Sequence, residues 1–285
     1  MSQETDFLFD DMGPKAKRRV FIGSILATAF LVWMLWVAYS RLASNGQFEA
    51  RRWELFAHPG TWKFLAGGLK NTMLAAVITA CISFPLSILM ALARLSNKKL
   101  LNKFAVTFVE FFRSMPLVLF ILFIAVAAPV SGTFKISGLW ILVTGMTMYY
   151  IAIFSEVVRA GIISLPSGQR EAAMALGMTY SQSMRLVELP QALYAMTPAI
   201  MSQLLFLVQD TSLGYIIPYE ELLRRGKNIE SFSPISILQT YLVITLVYAL
   251  VSLSLLWLTN RIERNRNLPA PRAPKGSKKT KIKPT

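Results

Sequence analysis

The sequence has very little of the side chains that most catalytic and metal sites require. Its 285 residues include one cysteine, Cys81, and one histidine, His58. A single cysteine excludes an intrachain disulfide and a cysteine metal cluster, and one histidine leaves little for histidine ligation or Ser-His-Asp chemistry. The chain also lacks the Gly-x-x-x-x-Gly-Lys-Ser/Thr loop that binds ATP phosphates. We therefore expect no enzyme activity, no metal site and no cofactor in this chain.

Charged residues are also scarce, and apolar residues are grouped. Only 16% of residues are charged and 54% are apolar, against about 25% and 45–50% in soluble domains. The apolar residues form blocks of about 20 residues or more, long enough to cross a hydrocarbon core as helices. The sequence predicts an all-α integral membrane protein with six transmembrane helices. The six blocks cover about 20–39, 69–92, 104–128, 139–158, 192–217 and 235–258.

Acidic residues are half as frequent as basic ones, which gives a net charge of +15. Nucleic-acid binding is a weak explanation, because the basic residues lie in the loops and tails between apolar blocks. The tails and connections fall into two alternating sets, and one set holds about twice as many Lys and Arg residues as the other. Such an excess is typical of cytoplasmic loops. We predict a multi-pass protein of the plasma membrane with both termini in the cytoplasm. Acids at Glu4, Asp6, Asp10 and Asp11 argue against a signal peptide, so the first block is expected to remain as a span.

Composition divides the chain into four parts. We expect a cytoplasmic tail over 1–19, an additional transmembrane helix with its outer loop over 20–62, a core over 63–260, and a basic tail over 261–285. The last part is rich in Pro, Lys, Gly and Thr from about residue 268, which predicts disorder. Its charge suits anionic lipid headgroups, although a solvated tail that only fixes topology is the simpler interpretation.

A polar segment at about 164–190 separates the fourth and fifth blocks. Residues 171–176 favour a helix, and Ser167 is a plausible N-cap before it. Gly177 is expected to end this helix, because glycine tolerates the left-handed backbone of a C-terminal cap. A second short helix follows, and Pro190 is expected to stop it. The pattern predicts two short helices at an angle to each other.

This segment resembles the cytoplasmic signature of ABC importer permease subunits. The signature is Glu-Ala-Ala, a glycine after three further residues, and a hydrophobic residue and Leu-Pro after nine more. The residues that carry the resemblance are Gly168, Gln169, Glu171, Ala172, Ala173, Gly177, Val187, Leu189 and Pro190. The resemblance implies coupling helices that dock into an ATP-binding cassette ATPase subunit, which holds ATP and Mg. An amphipathic hairpin resting on lipid is the alternative.

Other motifs are similar to the polar amino-acid branch of these permeases, whose members transport histidine, glutamate, glutamine, arginine or opines. They are Phe112–Pro116, Glu156–Arg159 and Asp210–Leu213, and the N-terminal arrangement is most like glutamate permeases of actinobacteria. Ser114-Met115 and Gln209 depart from the usual pattern. The resemblance also implies a second permease subunit and an extracellular substrate-binding protein.

Ionisable residues inside the apolar blocks are candidates for function. Glu110 and Arg113 are three residues apart and can pair, as can Glu156 and Arg159. An amino acid needs a cation for its carboxylate and an acid for its ammonium. We hypothesise that Arg113 contacts a substrate carboxylate and that Glu156 or Asp210 contacts the ammonium; internal salt bridges are the alternative. The predicted substrate path comprises Arg113, Pro116, Glu156, Asp210, Thr211 and Ser212.

Two other classes of protein compete with this interpretation. A membrane-embedded enzyme needs a convergent nucleophile, acid pair or metal cluster, and the blocks show none. An ion-coupled secondary transporter acts alone and commonly has an internal repeat, which the sequence lacks. Within the permease interpretation, glutamate is the favoured substrate and glutamine, arginine or histidine are the alternatives.

Overall fold

The computed structural model describes residues 13–127 and 136–264, and this part of the chain is helical without any strand. The acidic N-terminal residues and the predicted disordered tail lie outside the described residues. The helices are α1 (Pro14–Ser44), α2 (Glu54–Ala57), α3 (Pro59–Arg94), α4 (Lys99–Ser114), α5 (Leu117–Ala127), α6 (Gly138–Ile163), α7 (Ser167–Ala175), α8 (Tyr180–Ser183), α9 (Leu189–Ala195), α10 (Thr197–Asp210), α11 (Leu222–Phe232) and α12 (Ile237–Arg264). The predicted all-helical fold class is confirmed.

The chain divides into two units at His58. The first unit contains the 31-residue helix α1, most of whose apolar side chains are exposed, as in a helix that faces lipid. After α1 the backbone turns at Gly46, where φ is +63°, and the Arg52 guanidinium donates to the Asn45 carbonyl oxygen at 3.1 Å. The first predicted block is therefore a continuous helix followed by a closed turn.

The described residues contain four helices that are long and apolar enough to cross a membrane: α1, α3, α6 and the last helix with its leading turn. Two bent pairs also qualify. Helices α4 and α5 meet at 98°, and the segments Tyr180–Ala195 and Thr197–Ile216 meet at 62°. Counting each bent pair as one span gives six, the number that the sequence predicts.

The bend between α4 and α5 follows from Pro116. A residue before proline is driven out of the helical region, and Met115 has the extended dihedrals φ −91° and ψ 131°. Aromatic rings then pack across the bend: the Phe112 ring lies 4.6 Å from that of Phe108 and 5.0 Å, edge to face, from that of Phe120. The bend is thus a packed feature with its own small core.

Helices α3 and α6 form the most extensive helix pair. Small side chains on α3, among them Ala75 and Ser83, are completely buried and let the two backbones approach. Large side chains of α6, including Tyr150 and Phe154, fill the remaining space, and the Phe154 ring meets Phe84 edge to face at 5.7 Å. The small residues of α3 thus leave the room that the large side chains of α6 fill.

Helix α11 is held against α3 by polar contacts at its first turn. The Leu222 amide donates to the Thr72 hydroxyl at 3.2 Å, and the Tyr219 hydroxyl donates to the Asn71 carbonyl at 2.7 Å. Glu221 caps the helix, because its carboxylate accepts the Leu223 amide at 2.7 Å. Glu221 is completely buried, and this burial raises its pKa to about 7.

The docking of α11 is expected to weaken as the pH rises through about 7. A carboxyl whose pKa is raised by folding contributes its full stability below its unfolded pKa and loses it above the folded one. Hydrogen exchange of the α11 amides, corrected for intrinsic rates, should therefore be less protected at pH 8.5 than at pH 6. Glu221→Gln should remove the difference, whereas the exposed neighbour change Glu220→Gln should keep it. An unchanged pH dependence in Glu221→Gln contradicts the assignment.

Candidate functional site

The first candidate site is the polar segment between α6 and α9. Helix α7 begins at Ser167, but the predicted N-cap is wrong: the capping position is Pro166, and no side chain caps the helix. The proline fixes φ at −57° and starts the helix by geometry alone. At the other end Gly177 has φ +84°, and the Met178 amide donates to the Ala173 carbonyl at 3.2 Å. The predicted glycine termination is confirmed.

The second arm of the segment starts at a capping box. The Gln182 amide donates to the Thr179 hydroxyl at 3.3 Å, and the Gln182 side chain accepts the Thr179 amide at 2.8 Å. A π-helical turn, Met184–Glu188, leads directly into α9. The predicted stop at Pro190 is therefore wrong. Pro190 lies in the first turn of α9, where the backbone needs no N–H donor, and the π-helical turn before it supplies the break in hydrogen bonding.

An ion pair joins the two arms. The Arg170 Nε donates to both Glu188 carboxylate oxygens at 3.1 Å, and its Nη2 donates to Oε2 at 2.6 Å. The Ser183 hydroxyl donates to Oε1 at 3.0 Å, so Glu188 has three side-chain donors although only 3% of its side chain is exposed. The Arg170 guanidinium also lies 5.4 Å from the centre of the Tyr180 ring. The ion pair therefore holds the two arms together as one cross-braced unit, and we call this segment, about residues 164–190, the coupling segment.

The predicted coupling residues lie mainly on the outside of this unit. Ala173 is buried at 3% exposure and faces inward, whereas Glu171 and Ala172 are exposed. Met174 and Leu176 are also exposed, at 53% and 82%. The remaining predicted coupling residues are Gly168, Gln169, Gly177 and Pro190, all exposed, and Leu189, which is half-buried. The coupling role of these residues stays a prediction.

The second candidate site is a cluster of charges around Glu156. Its carboxylate accepts hydrogen bonds from Arg94 on α3 and from Arg159 on its own helix, and the Arg113 Nη1 lies 3.3 Å from Oε2. The predicted Glu156–Arg159 pair is confirmed. The predicted Glu110–Arg113 pair is wrong, because Arg113 turns to Glu156 across the helix contact. Three guanidinium groups share one carboxylate, so the cluster carries a net positive charge.

Asp210 belongs to a separate group that the cluster approaches. The Tyr150 hydroxyl donates to Asp210 Oδ2 at 2.7 Å, and the Thr211 hydroxyl donates to the Val208 carbonyl at 2.6 Å. Tyr149 lies within electrostatic range of both Asp210 and Arg113. The predicted path residues thus form two groups, and Tyr149 is near both of them. Ser212 is half-buried beside Asp210, and Pro116 is exposed at the bend.

Four residues of these sites have no predicted role in the sequence: Arg94, Tyr150, Arg170 and Glu188. In the sequence, Arg94 is only one of the basic residues in the connections between apolar blocks, although it follows the second block closely. Nothing local pairs it with a carboxylate 62 residues away. Arg170 and Glu188 are next to residues of the signature, and this position is the one sequence feature that points to them. Within residues 13–127 and 136–264, no three His, Cys, Asp or Glu side chains are arranged to hold a metal ion.

Comparison with known proteins gives one family. The model of the binding-protein-dependent transport system inner membrane component matches residues 83–267. The glutamate transport system permease protein GluD of Corynebacterium glutamicum is 35% identical over 226 residues, which cover 78% of this chain and 82% of GluD. The glutamate/aspartate import permease protein GltK of Escherichia coli O157:H7 is 34% identical over 208 residues, 70% of this chain and 92% of GltK. A crystal structure of an amino acid ABC transporter with histidines superposes with a TM-score of 0.66 and 26% identity, over 71% of this chain and 94% of that one.

Proposed function

Because this chain belongs to the family of binding-protein-dependent transport system inner membrane components, and so is a permease subunit of an amino-acid ABC importer, we propose that it imports glutamate with energy from partner ATPase subunits. The observation that supports glutamate as the substrate is the arginine cluster. Two guanidinium charges in excess around Glu156 favour a substrate with an additional carboxylate. The names of GluD and GltK support the same substrate class.

The proposed path uses the two charged groups for the two ends of the substrate. Arg113 is the most exposed of the three arginines, at 45%, and is the group that meets a substrate carboxylate. The Glu156 carboxylate is occupied by three guanidiniums. Among the residues that the structure describes, the Tyr150 hydroxyl is the one side-chain donor to Asp210, so Asp210 is the better partner for an ammonium group.

The proposed coupling uses the cross-braced segment as a lever. Closure of two ATPase subunits around ATP and Mg moves α7, and α9 transmits the motion into α10. A face with exposed Met174 and Leu176 suits a protein groove. In this proposal the segment and both chain termini lie in the cytoplasm, a second permease subunit completes the path, and an extracellular binding protein delivers the substrate.

Uptake measurements test the proposal. A strain that lacks this chain should lose uptake of labelled glutamate and regain it on complementation, while arginine and histidine uptake stay unchanged. In proteoliposomes the chain should move glutamate only when an ATPase subunit and ATP are present. Loss of glutamine, arginine or histidine uptake instead contradicts glutamate as the substrate. Transport without any ATPase subunit indicates an ion-coupled transporter.

A further inference from the structure

A cavity of about 640 Å³ opens where the end of α3, the following turn and the start of α4 face the coupling segment. Its walls combine two kinds of residue. Leu89, Leu92, Leu101 and Met184 supply apolar surface, and Lys98 and Arg185 supply positive charge. The cavity is separate from the arginine cluster and from the exposed face of α7, because none of their residues lines it.

The charge in this cavity is of one sign. Lys98 and Arg185 are exposed, and neither forms an ion pair with any residue in the described part of the chain. The other polar residues of the lining are neutral and no acid is among them. Two unpaired cations that face the same cavity attract an anion with several acceptor oxygens, and phosphate is the commonest such group at a membrane surface.

The apolar wall extends from this charge toward the membrane interior. Leu89 is 63% exposed and precedes Arg94, the last residue of α3, by five positions, which is about 7 Å along a helix. Lys98 lies just beyond the helix end, in the turn that leads to α4. Cationic side chains at the boundary and exposed leucines below them match the two halves of a phospholipid, its headgroup and the start of its acyl chain.

We propose that this cavity binds one anionic phospholipid, with its phosphate on Lys98 and Arg185 and an acyl chain along Leu89 and Leu101. The proposal follows from the membrane placement of the chain and does not require glutamate to be the substrate. Met184 and Tyr180 of the coupling segment form one wall, so the bound lipid contacts the braced unit directly. A zwitterionic lipid has a compensating cation in its headgroup and fits this wall of single charge less well.

Photocrosslinking tests the site. The purified full chain in nanodiscs receives a trace of photoactivatable phosphatidylglycerol or, separately, phosphatidylcholine, and crosslinked peptides are mapped by mass spectrometry. Phosphatidylglycerol should label peptides around residues 96–101 and 180–185 at least about fivefold more than phosphatidylcholine. The double change Lys98→Gln/Arg185→Gln should reduce this labelling to the phosphatidylcholine level.

Lys99→Gln/Lys103→Gln is the matched control. Both lysines are exposed at the start of α4 and neither lines the cavity, so labelling should persist. An equal loss in the control, equal labelling by the two lipids, or labelling spread over all basic peptides overturns the proposal. Displacement of the lipid by millimolar inorganic phosphate alone also overturns it, because the site then selects a free anion. A last outcome also contradicts the proposal: the peptides carry no lipid label, and the ATPase subunit protects them when it is added. The cavity is then a protein interface.

Discussion

Replacing Arg170 with leucine is expected to reduce the glutamate transported per ATP hydrolysed by about tenfold, while the importer still assembles and hydrolyses ATP. The change removes three of the four side-chain hydrogen bonds on Glu188, whose carboxylate is 3% exposed. Leaving a buried charge poorly paired costs about 1–2 kcal/mol here, since Arg170 is itself 42% exposed and water screens part of the pair.

The lost stabilisation is expected to leave the angle between the two arms of the coupling segment less firmly fixed. In the proposed coupling, force on α7 reaches α9 through the ion pair, through the turn at Gly177 and through the Gln169–Gln191 hydrogen bond. Without the ion pair, the turn at Gly177 and one neutral hydrogen bond, from the Gln191 side-chain amide to Gln169 Oε1 at 3.3 Å, remain between the arms. We therefore expect α7 to move more independently of α9. A difference of about 1.4 kcal/mol is a tenfold change in an equilibrium constant, so a loss of this size is sufficient for the expected effect.

Graded variants separate the brace from simple charge. Arg170→Lys keeps the charge but loses the planar fork, so its transport per ATP should fall between the wild type and Arg170→Leu. Ser183→Ala removes one donor and should have a smaller effect. Lys103→Leu removes an exposed positive charge on α4, outside the segment and the cavity, that has no ion pair in the described residues, and it should leave the ratio unchanged.

The measurement is uptake and ATP hydrolysis in the same proteoliposomes. A normal ratio for Arg170→Leu shows that the brace does not transmit the motion. Equal loss of ATP hydrolysis and uptake is also contrary to the prediction, because it indicates failed docking of the ATPase subunit rather than a loosened lever.

The sequence predicts what depends on local chemistry. Six apolar blocks are visible because lipid demands long apolar helices, and the end of α7 is visible because Gly177 accepts a backbone that other residues resist. Proline positions are visible too, but their consequences depend on context. Pro116 bends the chain by 98°, whereas Pro190 joins a continuing helix because a π-helical turn precedes it.

Contacts between distant residues remain beyond such patterns. The sequence places Arg113 and Glu156 in different blocks and pairs each with its helix neighbour by spacing alone. The packing of α3, α4 and α6 decides instead that Arg94, Arg113 and Arg159 share one carboxylate. The same holds for Arg170 and Glu188, whose pairing depends on the angle at which two short helices fold together.

Arg113→Ala is expected to abolish glutamate uptake while the protein still folds and assembles. Arg113 is the most exposed member of the cluster, and Glu156 keeps its hydrogen bonds from Arg94 and Arg159 when it is removed. The loss therefore falls on the substrate. A charged hydrogen bond to a carboxylate is worth about 1.5–3 kcal/mol, which corresponds to a roughly ten- to hundredfold weaker interaction.

Changing Glu156 itself should have a different result. Glu156→Gln leaves three arginines without their shared carboxylate inside the helix bundle, and their repulsion should lower the yield of folded protein. Arg113→Lys should retain part of the uptake, because it keeps the charge without the fork. Glu110→Gln is the control on the same helix, since Glu110 has no ion pair among the residues that the structure describes, and its uptake should match the wild type.

The deciding experiment measures labelled-glutamate uptake together with the amount of assembled complex in the membrane for each variant. Unimpaired uptake by Arg113→Ala contradicts a role in substrate contact and reduces Arg113 to a packing charge. Loss of both uptake and complex in Arg113→Ala gives it the structural role assigned to Glu156. Loss of uptake with intact complex is the result that supports contact between the Arg113 guanidinium and the substrate.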